Sequence, residues 1–244
     1  MANEGHLYIM SSATPVHSFD LWGPLVDTDK LGQEMIRVYR QVASGQGLEQ
    51  GTIEKIASDY DALLKNDPVA IKNKKTIVPA LQGPAEASGL VDYRAGFNQD
   101  CIDAIAQILD AGERVIIYTT KPSPWVKANL PENVAARMGE VYSTGPEGKT
   151  SQDFARVIMA EYGTLVDGRC GQVVSHTADQ LPELVAALET GMFHKQGLVY
   201  VARDDSNTEL AVRSAGIGRF VRSLGEVSYP QLTEELRHYR WGKC

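Results

Sequence analysis

Between Cys101 and Tyr118 the chain changes its hydrophobic rhythm once, and that change restricts the fold more than any other feature. Ile102, Ile105, Ala106, Ile108 and Leu109 recur at helical spacing, Ala111-Gly112 stops them, and Val115-Ile116-Ile117-Tyr118 follows as an unbroken apolar run. A strand that is apolar on both faces must be covered on both, as happens inside a parallel sheet clothed by helices. The alternation continues downstream: helix 125–138, strand Glu140 to Ser143, helix 151–162, strand Gln172 to Ser175, helix 180–189, strand Leu198 to Ala202, helix 207–214 and a last strand Gly218 to Arg222. Upstream, Pro15 to Phe19 reads as a strand, and Leu31, Met35, Ile36 and Tyr39 return at helical spacing. Residues 44–92 are more polar, with one apolar stripe of Ile53, Ile56, Tyr60 and Leu63-Leu64 and a Gly/Pro break at 83–84. The pattern predicts an α/β fold, a doubly wound and mostly parallel Rossmann-like sheet, with a small helical module inserted after its first strand. The core is expected from 1–27 and 93–244, the module from 28–92.

Composition narrows the partners. The 31 acidic and 24 basic side chains give a net charge of -7, which disfavours binding to a phosphate backbone. Nucleic acid is therefore not expected. The 3 cysteines, Cys101, Cys170 and Cys244, lie far apart without metal-ligand spacing, so a reducing cytoplasm fits better than a disulfide framework. No stretch approaches the ~20 apolar residues that a membrane span needs, and the N-terminal segment lacks the basic start and apolar run of a targeting signal. A homo-oligomer is compatible with this composition.

In open parallel sheets, ligands bind beyond the carboxyl ends of the strands, so polar residues just after an apolar run are the ones to inspect. Four places qualify: Asp20 after Phe19, Thr119-Thr120-Lys121 after Tyr118, Lys149 in the loop after the Val141 strand, and Asp204-Asp205 after Ala202-Arg203. Carboxylates, hydroxyls and ammonium groups at one sheet edge suit a small anionic substrate with Mg²⁺, a hard cation that prefers oxygen ligands. Each residue has a plainer reading too. Asp is favoured in turns and helix caps, Thr119 is able to satisfy local backbone, and Lys149 competes with Lys121 for the same role. His17 and His176 read as packed or solvent-facing residues rather than ligands, because no second histidine or cysteine stands at metal spacing. Lys72, Lys74 and Lys75 form a basic cluster in the helical module, read as a solvated face that would attract an anion. Ser143 to Thr150 approaches a nucleotide-binding loop, but its first glycine is Ser143, and Pro146 removes one of the N–H donors on which such a loop depends.

The order of these residues resembles the haloacid dehalogenase-like (HAD) hydrolase superfamily. Asp20-Leu21-Trp22-Gly23-Pro24-Leu25-Val26-Asp27 is similar to its first motif, Thr119-Thr120-Lys121-Pro122 to its second, Lys149 to its third lysine, and Arg203-Asp204-Asp205 through Ala215-Gly216 to its fourth. The resemblance implies Asp20 as nucleophile and metal ligand, the Trp22 backbone carbonyl and Asp204 or Asp205 as further ligands of Mg²⁺, and Thr119 and Lys149 holding the transferred group, with Thr120 and Lys121 on the substrate. It also implies that the 28–92 module is a cap that closes over the site. Trp22 stands where the phosphatases of the superfamily carry an acid, and an indole offers only a neutral N–H donor. An aromatic there is similar to the dehalogenase branch. Three functions follow from the resemblance: a Mg²⁺-dependent phosphohydrolase, a 2-haloacid dehalogenase, and a catalytically silent binding protein. The 163–197 segment is longer than the superfamily's usual link, so its extra strand and helix read as a local elaboration or a partner surface.

Overall fold

The computed structural model describes residues 14–119, 121, 123–138, 141–143, 150–153, 156, 173–203 and 208–237. Six strands form one sheet: β1 (Val16–Asp20), β2 (Arg114–Thr119), β3 (Val141–Ser143), β4 (Val173–Ala178), β5 (Leu198–Val201) and β6 (Arg219–Val221). Their lateral order is β3-β2-β1-β4-β5-β6, and every neighbouring pair is parallel. The α/β reading holds, and the order reverses on the two sides of β1, which is where such sheets open a crevice.

Helices α1 (Thr28–Gly45), α2 (Gln50–Leu64), α3 (Pro68–Lys72) and α4 (Lys74–Ala87) follow β1. Downstream come α5 (Gln99–Asp110), α6 (Ser123–Asn129), α7 (Glu132–Ala135), α8 (Leu181–Glu189), α9 (Glu209–Ser214) and α10 (Tyr229–Arg237). Alternate residues of each strand point to opposite faces, so two apolar layers form. Phe19, Val115 and Ile117 pack with Ile105 of α5 and Leu232 of α10; Val16, Ile116 and Tyr118 pack with Leu184 of α8 and Val212 of α9.

The first layer runs without interruption into the helical module, where Leu31 and Met35 of α1 meet Ile53 of α2 and Leu81 of α4. Asp27 caps α1, its side chain accepting from the N–H groups of Asp29 and Lys30, both at 3.0 Å. Gly32 lies mid-helix because α2 comes so close: a Cβ there would stand 2.5 Å from Leu64. The break expected at Gly83-Pro84 is overridden. Helix α4 carries both Pro79 and Pro84 and continues to Ala87, held by fully buried Leu81 and Ala85. Pro131 has the opposite effect, splitting the helix expected over 125–138 into α6 and α7, since the residue before a proline avoids helical geometry.

The largest correction concerns β4. It was expected to end at Ser175 and to belong to an elaboration, yet it runs to Ala178 and pairs directly with β1. Three polar residues obscured it. His176 Nδ1 lies 3.0 Å from the Ser18 hydroxyl and His176 Nε2 2.9 Å from Glu183, while Thr177 shares a 2.8 Å hydrogen bond with the Tyr229 hydroxyl. On the opposite face of the same two strands, His17 Nδ1 is 2.8 Å from Ser175 and Nε2 is 2.8 Å from Glu113. Both histidines are fully buried, as the packed reading requires.

Candidate active site

Three adjacent strands end at one edge. Asp20 closes β1, Thr119 closes β2 on one side, and Asp179 stands one residue beyond β4 on the other. Asp20 and Thr119 are buried, and the Thr119 hydroxyl accepts from the Lys121 N–H at 3.2 Å. Asp179 was not anticipated from the sequence. Burial raises its pKa first, the charge of Asp20 second and that of Glu183 third, to about 7. Two carboxylates thus stand at the ends of the adjacent strands β1 and β4, and the charge of Asp20 adds to burial in making Asp179 harder to ionise.

The turn after Asp20 is built to admit Asp179. Gly23 has φ +80°, in the left-handed region, and a Cβ on it would stand 1.8 Å from the Asp179 Oδ2. Only glycine meets both demands. The same turn is fastened from behind by Asn98, whose side-chain amide donates to the carbonyls of Gly23 and Pro24 at 3.0 Å each. Arg203, just past β5, donates to Pro24 O at 2.9 Å and pairs with Asp100, which in turn accepts from the Ser223 hydroxyl at 3.0 Å and the Leu224 N–H at 2.9 Å.

Trp22 lies beside this turn against a cluster of rings. Its indole is 6.1 Å from that of Trp125, and Trp125 meets Tyr93 edge-on at 4.8 Å. The Lys121 ammonium sits over both indoles, 5.6 Å from Trp22 and 5.2 Å from Trp125, a cation–π arrangement. A cleft of about 770 Å³ runs from Asp179, Gly23 and Arg203 to Lys74 and Val78 of α4. A smaller cavity of about 220 Å³ lies between Trp22, Lys121 and Tyr93 on one side and Met35, Tyr60 and Glu86 of the helical module on the other.

Of the residues expected from the sequence, Asp20, Trp22, Thr119 and Lys121 come together here. Thr120, Lys149, Asp204 and Asp205 lie outside the described residues. The strand preceding Asp204 and Asp205 is β5, which β4 separates from β1. The loop that resembled a nucleotide-binding motif also falls largely outside the described residues, and Lys72 and Lys74 of the basic cluster belong to α3 and α4.

Solved structures share this fold over nearly their whole length. A haloacid dehalogenase-like hydrolase from Streptococcus pneumoniae superposes with a TM-score of 0.52 at 16% identity, covering 89% of this chain and 97% of that one. The chain has the haloacid dehalogenase-like fold. A HAD family hydrolase from Deinococcus radiodurans, solved with bound phosphate and sodium, gives a TM-score of 0.54 at 16% identity over 92% of this chain and 98% of its own. A HAD phosphatase from Thermococcus onnurineus gives 0.51 at 15% identity over 87% and 95%. No family model matches the chain, and no curated protein matches it in sequence. Within this HAD fold, no helix among the described residues is long and apolar enough to cross a membrane.

Among the described residues no three His, Cys, Asp or Glu side chains gather as a metal cage. Glu183, the nearest third acid, is committed to His176 at 2.9 Å. Two carboxylates at adjacent strand ends, one with its pKa raised first by burial and then by the other's charge, nevertheless suit a hard divalent cation that takes its remaining ligands from backbone carbonyls, water or substrate. The donor set fits Mg²⁺.

Proposed function

We propose that the protein is a Mg²⁺-dependent hydrolase of small phosphorylated or otherwise anionic compounds, with the Asp20 carboxylate as nucleophile. The observation that carries this reading is the meeting of Asp20, Asp179 and Thr119 at three adjacent strand ends. The fold shared with phosphatases and hydrolases adds to it. Asp20, Asp179 and the Trp22 backbone carbonyl are the ligands we assign to Mg²⁺; Asp204 and Asp205 follow a strand one place further out and are the less direct choice. When bound, the cation would offset the charge of the two carboxylates and of an anionic substrate.

Asp20 then attacks the phosphorus, and the bond to the leaving oxygen breaks. Thr119 and Lys121 hold the phosphoryl oxygens, with Lys149 as a further cation. Water attacks the resulting aspartyl phosphate and frees Asp20. Helices α1 to α4 serve as the cap that chooses the substrate, since both cavities reach from the strand ends to that module.

Trp22 favours a second reading, hydrolysis of a carbon–halogen bond, because a departing halide needs no proton. Purified protein should be assayed with and without Mg²⁺ on small phosphate esters and 2-haloacids, with Asp20→Asn as control. Mg²⁺-dependent phosphate release lost in the variant supports the first reading. Metal-independent halide release replaces it with the second, and silence on both panels moves the protein to a binding role. In Trp22→Asp, alkyl phosphate hydrolysis should rise by about 10²- to 10⁴-fold, the usual size of acid–base catalysis.

A further inference from the structure

The cavity of about 220 Å³ beside Trp22 carries the substrate class further, in a step that rests on the hydrolase reading above. Its volume holds one small ring with a substituent and little more. One wall is aromatic: Trp22 and Tyr93 line it, and Trp125 supports both, tilted against Trp22 at 6.1 Å and edge-on to Tyr93 at 4.8 Å. The opposite wall is Leu31, Met35 and Leu64 of the helical module. Among the described residues Lys121 is its one lining cation, with an ammonium held over two indole faces. Glu86, the one lining carboxylate among them, shares a hydrogen bond with Tyr93. A flat apolar body between the rings and the Leu31, Met35 and Leu64 side chains, with its anionic group toward Lys121, matches the aromatic and aliphatic walls and the cation.

A second, independent argument comes from the chemistry at Trp22. An indole cannot protonate a departing alkoxide, so efficient cleavage requires a leaving group that departs as a stable anion. A phenol, with a pKa of about 10, does so far more readily than an alkyl alcohol. We infer that the protein acts on small aryl phosphates: a Trp where a proton donor would stand both stacks on the ring and makes proton donation unnecessary. In the step, an Asp20 oxygen bonds to phosphorus while the phosphorus–oxygen bond to the ring breaks. The electron pair leaves on the phenolate oxygen, which later takes a proton from water. A water molecule then attacks phosphorus, releasing inorganic phosphate and Asp20, and its proton passes to solvent.

Binding and turnover test this separately. By calorimetry with Mg²⁺ present, phenylphosphonate, which cannot be hydrolysed, should bind about tenfold tighter than methylphosphonate, the ring contacts accounting for the ratio. Trp125→Leu should bring that ratio close to one, whereas Trp125→Phe should keep most of it and exclude simple misfolding as the cause. In turnover, phenyl phosphate should exceed ethyl phosphate in kcat, and Trp22→Asp should narrow the gap. Equal binding of the two phosphonates, or a ratio indifferent to Trp125→Leu, overturns the inference even where phosphate release continues and the hydrolase reading stands. Preferred binding of the ring without any hydrolysis by the Asp20 carboxylate supports the pocket and removes the hydrolase reading instead.

Discussion

Two polar clusters share strands β1 and β4, and they are handled in opposite ways. In the middle of the strands, His17, Ser175 and Glu113 on one face, and His176, Ser18 and Glu183 on the other, are hydrogen-bonded sets built around two fully buried imidazoles. At the carboxyl ends, a few ångströms along the same strands, Asp20 and Asp179 stand at adjacent strand ends with their charges opposed. The composition of the first cluster looks catalytic, and its geometry is structural. Each ring nitrogen already has a partner, so nothing is left to meet a substrate. The second cluster is poorer in residue types but sets the charge of Asp20 against that of Asp179 beside a cleft, which is where binding energy for a cation can be realised.

The sharpest way to break this contrast is to neutralise one member of each cluster. Asp20→Asn should lower turnover by about 10³-fold or more, the scale for loss of a nucleophile, while stability in urea changes little or rises. His17→Ala should do the reverse. It leaves Glu113 and Ser175 without their buried partner, so unfolding free energy should fall by about 3 kcal/mol, read from the urea midpoint, with kcat per folded molecule changed much less. If His17→Ala also abolished turnover in a folded protein, the division between structural and chemical clusters would fail.

Gly23→Ala tests whether the second cluster is held in place by its turn. Left-handed backbone strain alone should cost about 1 to 2 kcal/mol in urea unfolding, and displacement of Asp179 by the new methyl group should raise the Mg²⁺ concentration needed for half-maximal activity. Unchanged Mg²⁺ dependence in that variant would remove Asp179 from the site.

The smallest effect is one of pH. Burial lowers the pKa of His17 and outweighs the opposing hydrogen bond and charge of Glu113. The folded state therefore prefers the neutral ring, which can donate from Nε2 to Glu113 and accept at Nδ1 from Ser175. A base with a depressed native pKa binds fewer protons folded than unfolded. Its stability contribution is complete above the unfolded value of about 6.5 and is lost as pH falls below it, at about 1.4 kcal/mol per pH unit until the native pKa is reached. Urea midpoints measured between pH 7.5 and 5 should decline accordingly, and His17→Gln should flatten that part of the decline. A midpoint that rises on acidification would mean that the Glu113 interaction dominates after all.

Much of the frame was legible because it is written in local patterns. The run Val115 to Tyr118 identified a strand buried on both faces, the spacing of Leu31, Met35, Ile36 and Tyr39 identified α1, and Asp20 was recognisable as the polar residue ending an apolar run before Gly23-Pro24. Thr119 and Lys121 were found by the same rule. Asp179 was not, because the strand that delivers it carries Ser175, His176 and Thr177 in its interior. The sequence reading ends the strand at Ser175, and His176 and Thr177 read as the start of a loop until their partners are known, 158 residues away for His176 and 52 away for Thr177.

Sequence by itself determined strands such as β1, β2 and β5, amphipathic helices such as α1 and α5, and that an aspartate ends the first strand, since each depends on neighbours within a turn or two; the helix expected over 151–162 lies largely outside the described residues. The tertiary structure decided which strand lies beside β1. Lateral order in a parallel sheet is set by how the connecting helices pack across its faces, and β4, not β5, takes the place next to Asp20. That one choice brings Asp179 against Gly23 and opposes it to Asp20. The pairing of β1 with β2 likewise turns Trp22 and Lys121, far apart in the chain, into the wall of a ring-sized cavity with Tyr93 and the helical module.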